Sequence, residues 1–211
     1  MSQPNSRVFL VDDDEQVRCA ISRLLRAAGY CVHSFDSAEV FFDRVDLSSS
    51  PACLLLDLQM PGMTGLDVQH RLNGRVPIVF LTGRGDVESS VDAMKAGALD
   101  FLIKPVRESV LIAAVDRALQ SACKEFEVER EHAELLGRVN QLTRREREVM
   151  ALVLTGRLNK QVASDLGAAE KTIKIHRGRV MEKMRARSIV ELIRLADKAG
   201  VHAADDQSPS A

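Results

Sequence analysis

The stretch Val8-Phe9-Leu10-Val11-Asp12-Asp13-Asp14 decides how the first half of the chain is read. An unbroken apolar run with no polar alternation is a strand buried on both faces, as in a parallel sheet. Carboxylates then follow at once where that strand ends. Further runs of the same kind occupy 31–35, 52–56, 77–81 and 100–103. Helical periodicity fills the intervals. Val17, Ile21, Leu24, Leu25 and Ala28 fall on one helix face, and Gly29 stops that helix. Five strand-then-helix units predict an α/β fold, a doubly wound five-stranded parallel sheet with helices on both faces.

In open parallel sheets ligands bind beyond the carboxyl ends of the strands. The residues at those ends are Asp12, Asp13 and Asp14 after the first strand, Asp57 after the third, Thr82 and Gly83 after the fourth, and Lys104 and Pro105 after the fifth. Close carboxylates repel unless a cation neutralises them, and hard oxygen donors suit Mg²⁺. A metal, the Lys104 amine and the Thr82 hydroxyl could then stabilise a transferring phosphoryl group. Asp57, alone at its strand end, is the candidate nucleophile for an acyl phosphate, and Gly83 leaves room beside it. Two other motifs fail on residue type. A haloacid-dehalogenase-type D-x-D-x-T/V pattern would need Thr or Val where Gln16 stands. A calcium loop would need Gly at Val17 and Glu at Arg23.

Composition narrows the classes. Of 211 residues, 45% are hydrophobic and 28% charged, which is ordinary for a globular chain. No apolar run approaches the roughly 18 residues that span a bilayer, and the polar start has no signal-peptide core. Cys19, Cys31, Cys53 and Cys123 show no C-x-x-C spacing, so the expectation is reduced thiols in the cytoplasm. With no Trp and one Tyr, broad stacking on single-stranded nucleic acid is disfavoured. The net charge of −1 conceals a division: residues 1–123 carry −4, 124–141 carry −2, 142–200 carry +7 and 201–211 carry −2. The basic segment is the candidate for nucleic acid. The expected division is therefore a front domain over 1–123, a helical linker over 124–141, a basic domain over 142–200 and a disordered tail over 201–211.

The span 106–136 has neither Gly nor Pro, so the fifth helix is expected to run into the linker, solvated over 124–134 and ended or weakened by Gly137. The basic domain reads as four helices, over 144–155, 159–166, 169–185 and 188–199. Thr143 with Glu146 forms a capping box, and Ser188 with Glu191 a second. In the third helix Ile173, Val180 and Met184 face the core, with Arg177 near its edge. Lys171, Ile175 and Gly178, flanked by Lys174 and Arg179, face outward. A long cationic helix after a short helix and a tight turn is helix-turn-helix geometry, fit to enter a major groove. His176 has no Cys or His partner nearby and reads as a packed or backbone-bonded residue.

The set Val11-Asp12-Asp13, Asp57, Met60-Pro61-Gly62, Thr82-Gly83 and Lys104-Pro105 resembles the receiver domain of bacterial two-component response regulators, a flavodoxin-like fold. The resemblance implies that Asp57 accepts a phosphoryl group from the phosphohistidine of a sensor histidine kinase. It implies Mg²⁺ held by Asp13, Asp57 and the carbonyl of Gln59, with Asp12 acting through water and Asp14 outside the set. It pairs Lys104 with Asp57, makes the bond before Pro105 cis, and makes Thr82 and Phe101 a switch pair. By spacing alone Phe101 would be a core residue.

The runs 142–149, 159–163 and 171–176 resemble the LuxR-type DNA-binding domain. Together the two halves resemble FixJ/NarL-type transcription regulators, nearest in pattern to the FixJ branch, where Gly83-Arg84-Gly85-Asp86-Val87 and Ala93-Met94-Lys95-Ala96-Gly97-Ala98 also fit. Lys174 and Ile175 would then face bases of double-stranded promoter DNA, and Lys160, Thr172, Arg177 and Arg179 would mostly touch phosphates, with Lys171 beside them. Ala169 stands where the family has a Ser or Thr helix cap, a loss that costs about 0.5–2 kcal/mol. The family dimerises on phosphorylation through the fifth strand and its two flanking helices, here Val91, Met94, Lys95, Lys104, Val110 and Leu111. The expected protein is thus a phosphoacceptor regulator and not an enzyme, with RNA polymerase a further partner and no membrane. The alternatives are a constitutive DNA binder with a silent receiver and an Mg²⁺-dependent phosphatase.

Overall fold

Strand β1 (Arg7–Val11) lies inside a five-stranded parallel sheet in the order β2-β1-β3-β4-β5. Its partners are β2 (Cys31–Phe35) on one side and β3 (Ala52–Asp57) on the other, with β4 (Ile78–Thr82) and β5 (Asp100–Ile103) continuing outward from β3. The computed structural model describes residues 6–83 and 94–201. The chain divides into two units, Met1–Glu127 and Val128–Ala211.

In the first unit α1 (Glu15–Ala27), α2 (Ala38–Arg44) and α3 (Gly65–Leu72) cover the sheet. The Asp14 carboxylate caps α1, accepting from the backbone N–H groups of Gln16 and Val17. Gly29 takes φ +90° just past its end, a region that glycine enters without strain. One face of the sheet packs Val8, Leu10, Leu55, Val79 and Leu81 against Ile21, Leu25, Leu111 and Val115. The other packs Phe9, Leu54, Leu56 and Phe80 against Phe41, Val68 and Leu72.

Strands β3 and β4 are buried throughout, as their unbroken apolar runs predict. Strands β2 and β5 are not. In β2 Cys31, His33 and Ser34 are exposed, and in β5 Phe101 and Ile103 are. Both are edge strands with a neighbour on one side only, and hydrophobicity alone does not separate an edge from a centre. Residues 84–87, and with them most of the Gly83–Val87 motif, lie outside the described residues, as does Val91.

Helix α4 (Glu108–Asn140) does run on from the fifth strand into the linker, and 124–134 is solvated apart from half-buried Phe126. Gly137 does not end it. A glycine inside a helix costs only about 1 kcal/mol relative to Ala, and buried Leu135 and Leu142 anchor the segment on either side.

The second unit is helical: α5 (Arg144–Leu154), α6 (Asn159–Asp165), α7 (Glu170–Met184) and α8 (Ile189–Lys198). Its core joins Val149, Met150 and Val153 to Val162, Ile173, Val180, Met184 and Leu192. The Thr143/Glu146 capping box is complete. At α8 Ser188 accepts from the Glu191 N–H, but the Glu191 carboxylate turns to the Arg187 N–H, 2.7 Å away, so the second expected box is only half formed.

Candidate functional site

Parallel strands deliver their C-terminal residues to one edge of the sheet, and the acidic residues meet there. Oxygens of Asp12, Asp13 and Asp57, one from each, lie within 4.8 Å of one another. Asp12 is fully buried and Asp57 nearly so, whereas Asp13 is exposed. Lys104 reaches in from the end of β5. Its Nζ lies 2.7 Å from Oδ2 of Asp12 and 2.9 Å from Oδ2 of Asp57, donating a hydrogen bond to Asp57. The Asp12 contact is an ion pair between a fully buried carboxylate and a half-buried ammonium.

The electrostatics follow from burial. Desolvation, with Asp57 adding its charge, pushes the Asp12 carboxyl above the ordinary aspartate range, although Lys104 pulls the other way. For Lys104, burial alone would lower its value, but the two carboxylates outweigh it and hold the ammonium above its usual range. The donor set is hard oxygen at one strand-end notch, which fits Mg²⁺. The Gln59 N–H points back at Oδ1 of Asp57, 3.4 Å away. Asp14 is occupied as the α1 cap and takes no part in the cluster.

Thr82 is 2% exposed at the end of β4, and its hydroxyl donates to the Gly83 carbonyl at 3.2 Å. Phe101 is 38% exposed, so it is not the core residue that spacing alone implies. The peptide bond between Lys104 and Pro105 is cis, as the resemblance implied.

Two residues at this site escaped the sequence reading. Arg18 Nη1 donates to the carbonyls of Asp12 (2.7 Å) and Asp13 (3.0 Å) and so holds the acidic turn. Its position one turn inside the following helix was the available signal. Gly65, at the start of α3, packs against the backbone of Asp57. A Cβ there would stand 2.5 Å from the Asp57 carbonyl and 2.9 Å from Phe80. Among the described residues a Cβ at Gly83 would meet nothing within 4 Å, which agrees with the room expected there, so the close approach of backbone to Asp57 is made at Gly65.

In the second unit α6, the turn at Gly167 (φ +59°) and α7 form the helix-turn-helix. Ile173, Val180 and Met184 are buried, while Lys160, Lys171, Thr172, Lys174, Ile175 and Arg179 are exposed. Ile175, half exposed, is an apolar residue set among cations. Arg177 is half-buried and donates to Oδ1 of Asn159 at 2.9 Å, tying α7 to the start of α6. Ala169 supplies no side-chain cap. His176 is packed but Nδ1 has no hydrogen-bond partner, so the backbone-bonded form of its reading fails.

Of the residues expected at the dimer face, Met94 and Lys95 are exposed and Val110 is half-buried. Leu111 is 1% exposed and belongs to the core under the sheet, so it cannot line that face. The helix turns it inward, with Ala114, Val115 and Ala118 on the same side.

The description "Response regulator receiver domain" matches residues 8–116, and "Bacterial regulatory proteins, luxR family" matches residues 140–196. Nodulation protein W of Bradyrhizobium diazoefficiens is 45% identical over 199 residues, covering 93% of this chain and 87% of that protein. The transcriptional regulatory protein FixJ of Azorhizobium caulinodans is 38% identical, covering 96% of this chain and 97% of that protein. The solved structure of the response regulator StyR is 40% identical and superposes with a TM-score of 0.84, covering 92% of this chain and 99% of that one. The chain therefore belongs to the two-component response regulators that join a receiver domain to a LuxR-type DNA-binding domain and regulate transcription.

Proposed function

We propose that Asp57 is the phosphoacceptor and that its phosphorylation governs DNA binding through α7. The observation that carries this reading is the bridge from Lys104 to Asp12 and Asp57 among carboxylate oxygens gathered within 4.8 Å. In the transfer, the bond from phosphorus to the kinase imidazole nitrogen breaks, that nitrogen keeps the electron pair, and a carboxylate oxygen of Asp57 bonds to phosphorus. Lys104 neutralises charge on the moving group, and Arg18 keeps the acidic turn in place. Asp12, Asp13, Asp57 and the Gln59 carbonyl would hold Mg²⁺, which when bound supplies charge neutralisation at the phosphoryl oxygens.

Phosphorylation then biases a two-state element. The Thr82 hydroxyl leaves the Gly83 carbonyl for a phosphoryl oxygen, and the exposed Phe101 ring turns inward. Phe101 lies on the same strand face as exposed Ile103, near Met94 and Lys95 in sequence. Changing that face drives homodimerisation through Met94, Lys95, Lys104 and Val110. Two copies then place two α7 helices on promoter DNA, where Lys174 and Ile175 meet base edges and Lys160, Lys171, Thr172, Arg177 and Arg179 hold phosphates. The partners in this scheme are a sensor histidine kinase and, at the promoter, RNA polymerase, in the cytoplasm. Sedimentation analysis with and without the acyl-phosphate analogue beryllium fluoride tests it. A monomer that becomes a dimer is expected, and a monomer under both conditions overturns the scheme.

A further inference from the structure

Strand β2 carries a pair of metal-ligating side chains that the phosphoryl chemistry does not use. Cys31 and His33 stand two residues apart, so both project from one face of the strand. Both are exposed, and Sγ of Cys31 lies 3.5 Å from Nε2 of His33. The His33 ring packs on the buried Phe9 ring, with centroids 5.9 Å apart, which steadies the imidazole. Strand β2 is the sheet edge, so no neighbouring strand closes over the pair on its outer side. In register, Cys31 lies opposite Arg7 at the start of β1, whereas the acidic site lies beyond the other end of that strand.

The separation of the two atoms is informative. With a Zn–S bond of about 2.3 Å, a Zn–N bond of about 2.0–2.1 Å and a tetrahedral angle, the sulfur and nitrogen ligands of one ion stand ~3.5 Å apart. The pair thus already holds the chord of a tetrahedral site. A thiolate and an imidazole are the donors of a borderline-soft ion and are a poor match to Mg²⁺. Among the described residues the acidic cluster is the only group of three or more candidate ligands, so Cys31 and His33 leave the remaining positions of an ion to water.

We propose that Cys31 and His33 form a second cation site, specific for Zn²⁺-type ions and separate from the acidic site. On binding, the Cys31 thiol gives up its proton to solvent and the resulting thiolate sulfur bonds to the ion, while neutral His33 donates through Nε2.

Co²⁺, a spectroscopic stand-in for Zn²⁺, tests this on the full chain. Titration should produce a near-ultraviolet band of thiolate-to-cobalt charge transfer, which added Zn²⁺ abolishes. The band should persist in Asp57→Asn, vanish in Cys31→Ser, and require at least ~10-fold more Co²⁺ in His33→Ala, since even partners outside the metal's ligand set are worth 10–100-fold. Both substituted residues are exposed, and circular dichroism checks that the variants fold. A chain with no band holds only a thiol–imidazole hydrogen bond, which overturns the proposal. So does a band that survives Cys31→Ser, or one whose Co²⁺ dependence ignores His33→Ala.

Discussion

Lys104 donates to Asp57 across forty-seven residues of sequence, Nζ to Oδ2, at 2.9 Å. The same ammonium pairs with Asp12 at 2.7 Å, so a single cation from the chain serves two buried carboxylates. Lys104→Ala should therefore have two opposite effects. Mg²⁺ should bind more tightly, because its competitor is gone. Phosphorylation by acetyl phosphate should slow by about 10²-fold, the usual loss when one preorganised donor is removed. Titration calorimetry and timed intact-mass spectra check the two effects, and an unchanged phosphorylation rate would remove Lys104 from the mechanism.

Asp12 bears on stability in the unusual direction. Its folded value is raised above the ordinary 3.8 by burial, so its ionised form costs stability at neutral pH. That cost is absent below 3.8 and fully present once pH has risen through the folded value. A bound cation relieves it. Asp12→Asn should stabilise the metal-free receiver and blunt its response to Mg²⁺. In the wild type, Mg²⁺ at a hundredfold excess over Kd should add about 2.7 kcal/mol. Thermal unfolding with and without Mg²⁺ reads both effects.

Glu146 behaves in the usual way. It is 2% exposed, and the Lys183 ammonium 2.6 Å away, with the Thr143 cap, holds its carboxyl below the ordinary 4.5. Its stabilisation is present above 4.5 and is lost as pH falls through the lower folded value. Because Lys183 is about a third exposed, solvent screens the pair. Glu146→Gln should cost the second unit about 1–2 kcal/mol at pH 7. Urea titrations should show that difference shrinking in acid, and a difference constant with pH would dissociate Glu146 from the pair.

The exposed cations of α7 predict a steep fall of DNA affinity with salt, through counterion release. Lys174→Ala should weaken binding, and Arg179→Ala should reduce the log–log salt slope by about 1. Restoring a cap with Ala169→Ser should stabilise α7 by about 0.5–2 kcal/mol, consistent with the absent side-chain cap. Filter binding across a salt series and thermal unfolding provide the measurements.

What was legible in sequence had a local cause. Asp12, Asp57, Thr82 and Lys104 could be placed at one edge because parallel strands all end on the same side. The α7 core face followed from period alone, and Thr143 with Glu146 from cap chemistry. What was not legible depended on neighbours distant in sequence. Leu111 falls at apolar helical spacing with Val115 and Leu119, and only the resemblance places it on the dimer face; the sheet beneath its helix claims it for the core. Phe101 sits on an edge strand, which no run of apolar residues announces. Gly65 matters because Asp57 and Phe80 press on it, and Arg18 because its guanidinium folds back onto the acidic turn. Gly137 passes inside a helix because flanking leucines are buried.

The proposed role of Asp57 as the group that carries the phosphoryl signal is open to direct test. Intact mass after incubation with acetyl phosphate and Mg²⁺, on the wild type beside Asp57→Asn, tests it most directly. A single base-labile phosphoryl adduct is expected on the wild type and none on the variant. An adduct that persists in Asp57→Asn, or a folded wild-type protein that acquires none from acetyl phosphate or from a phosphorylated sensor kinase, would contradict it.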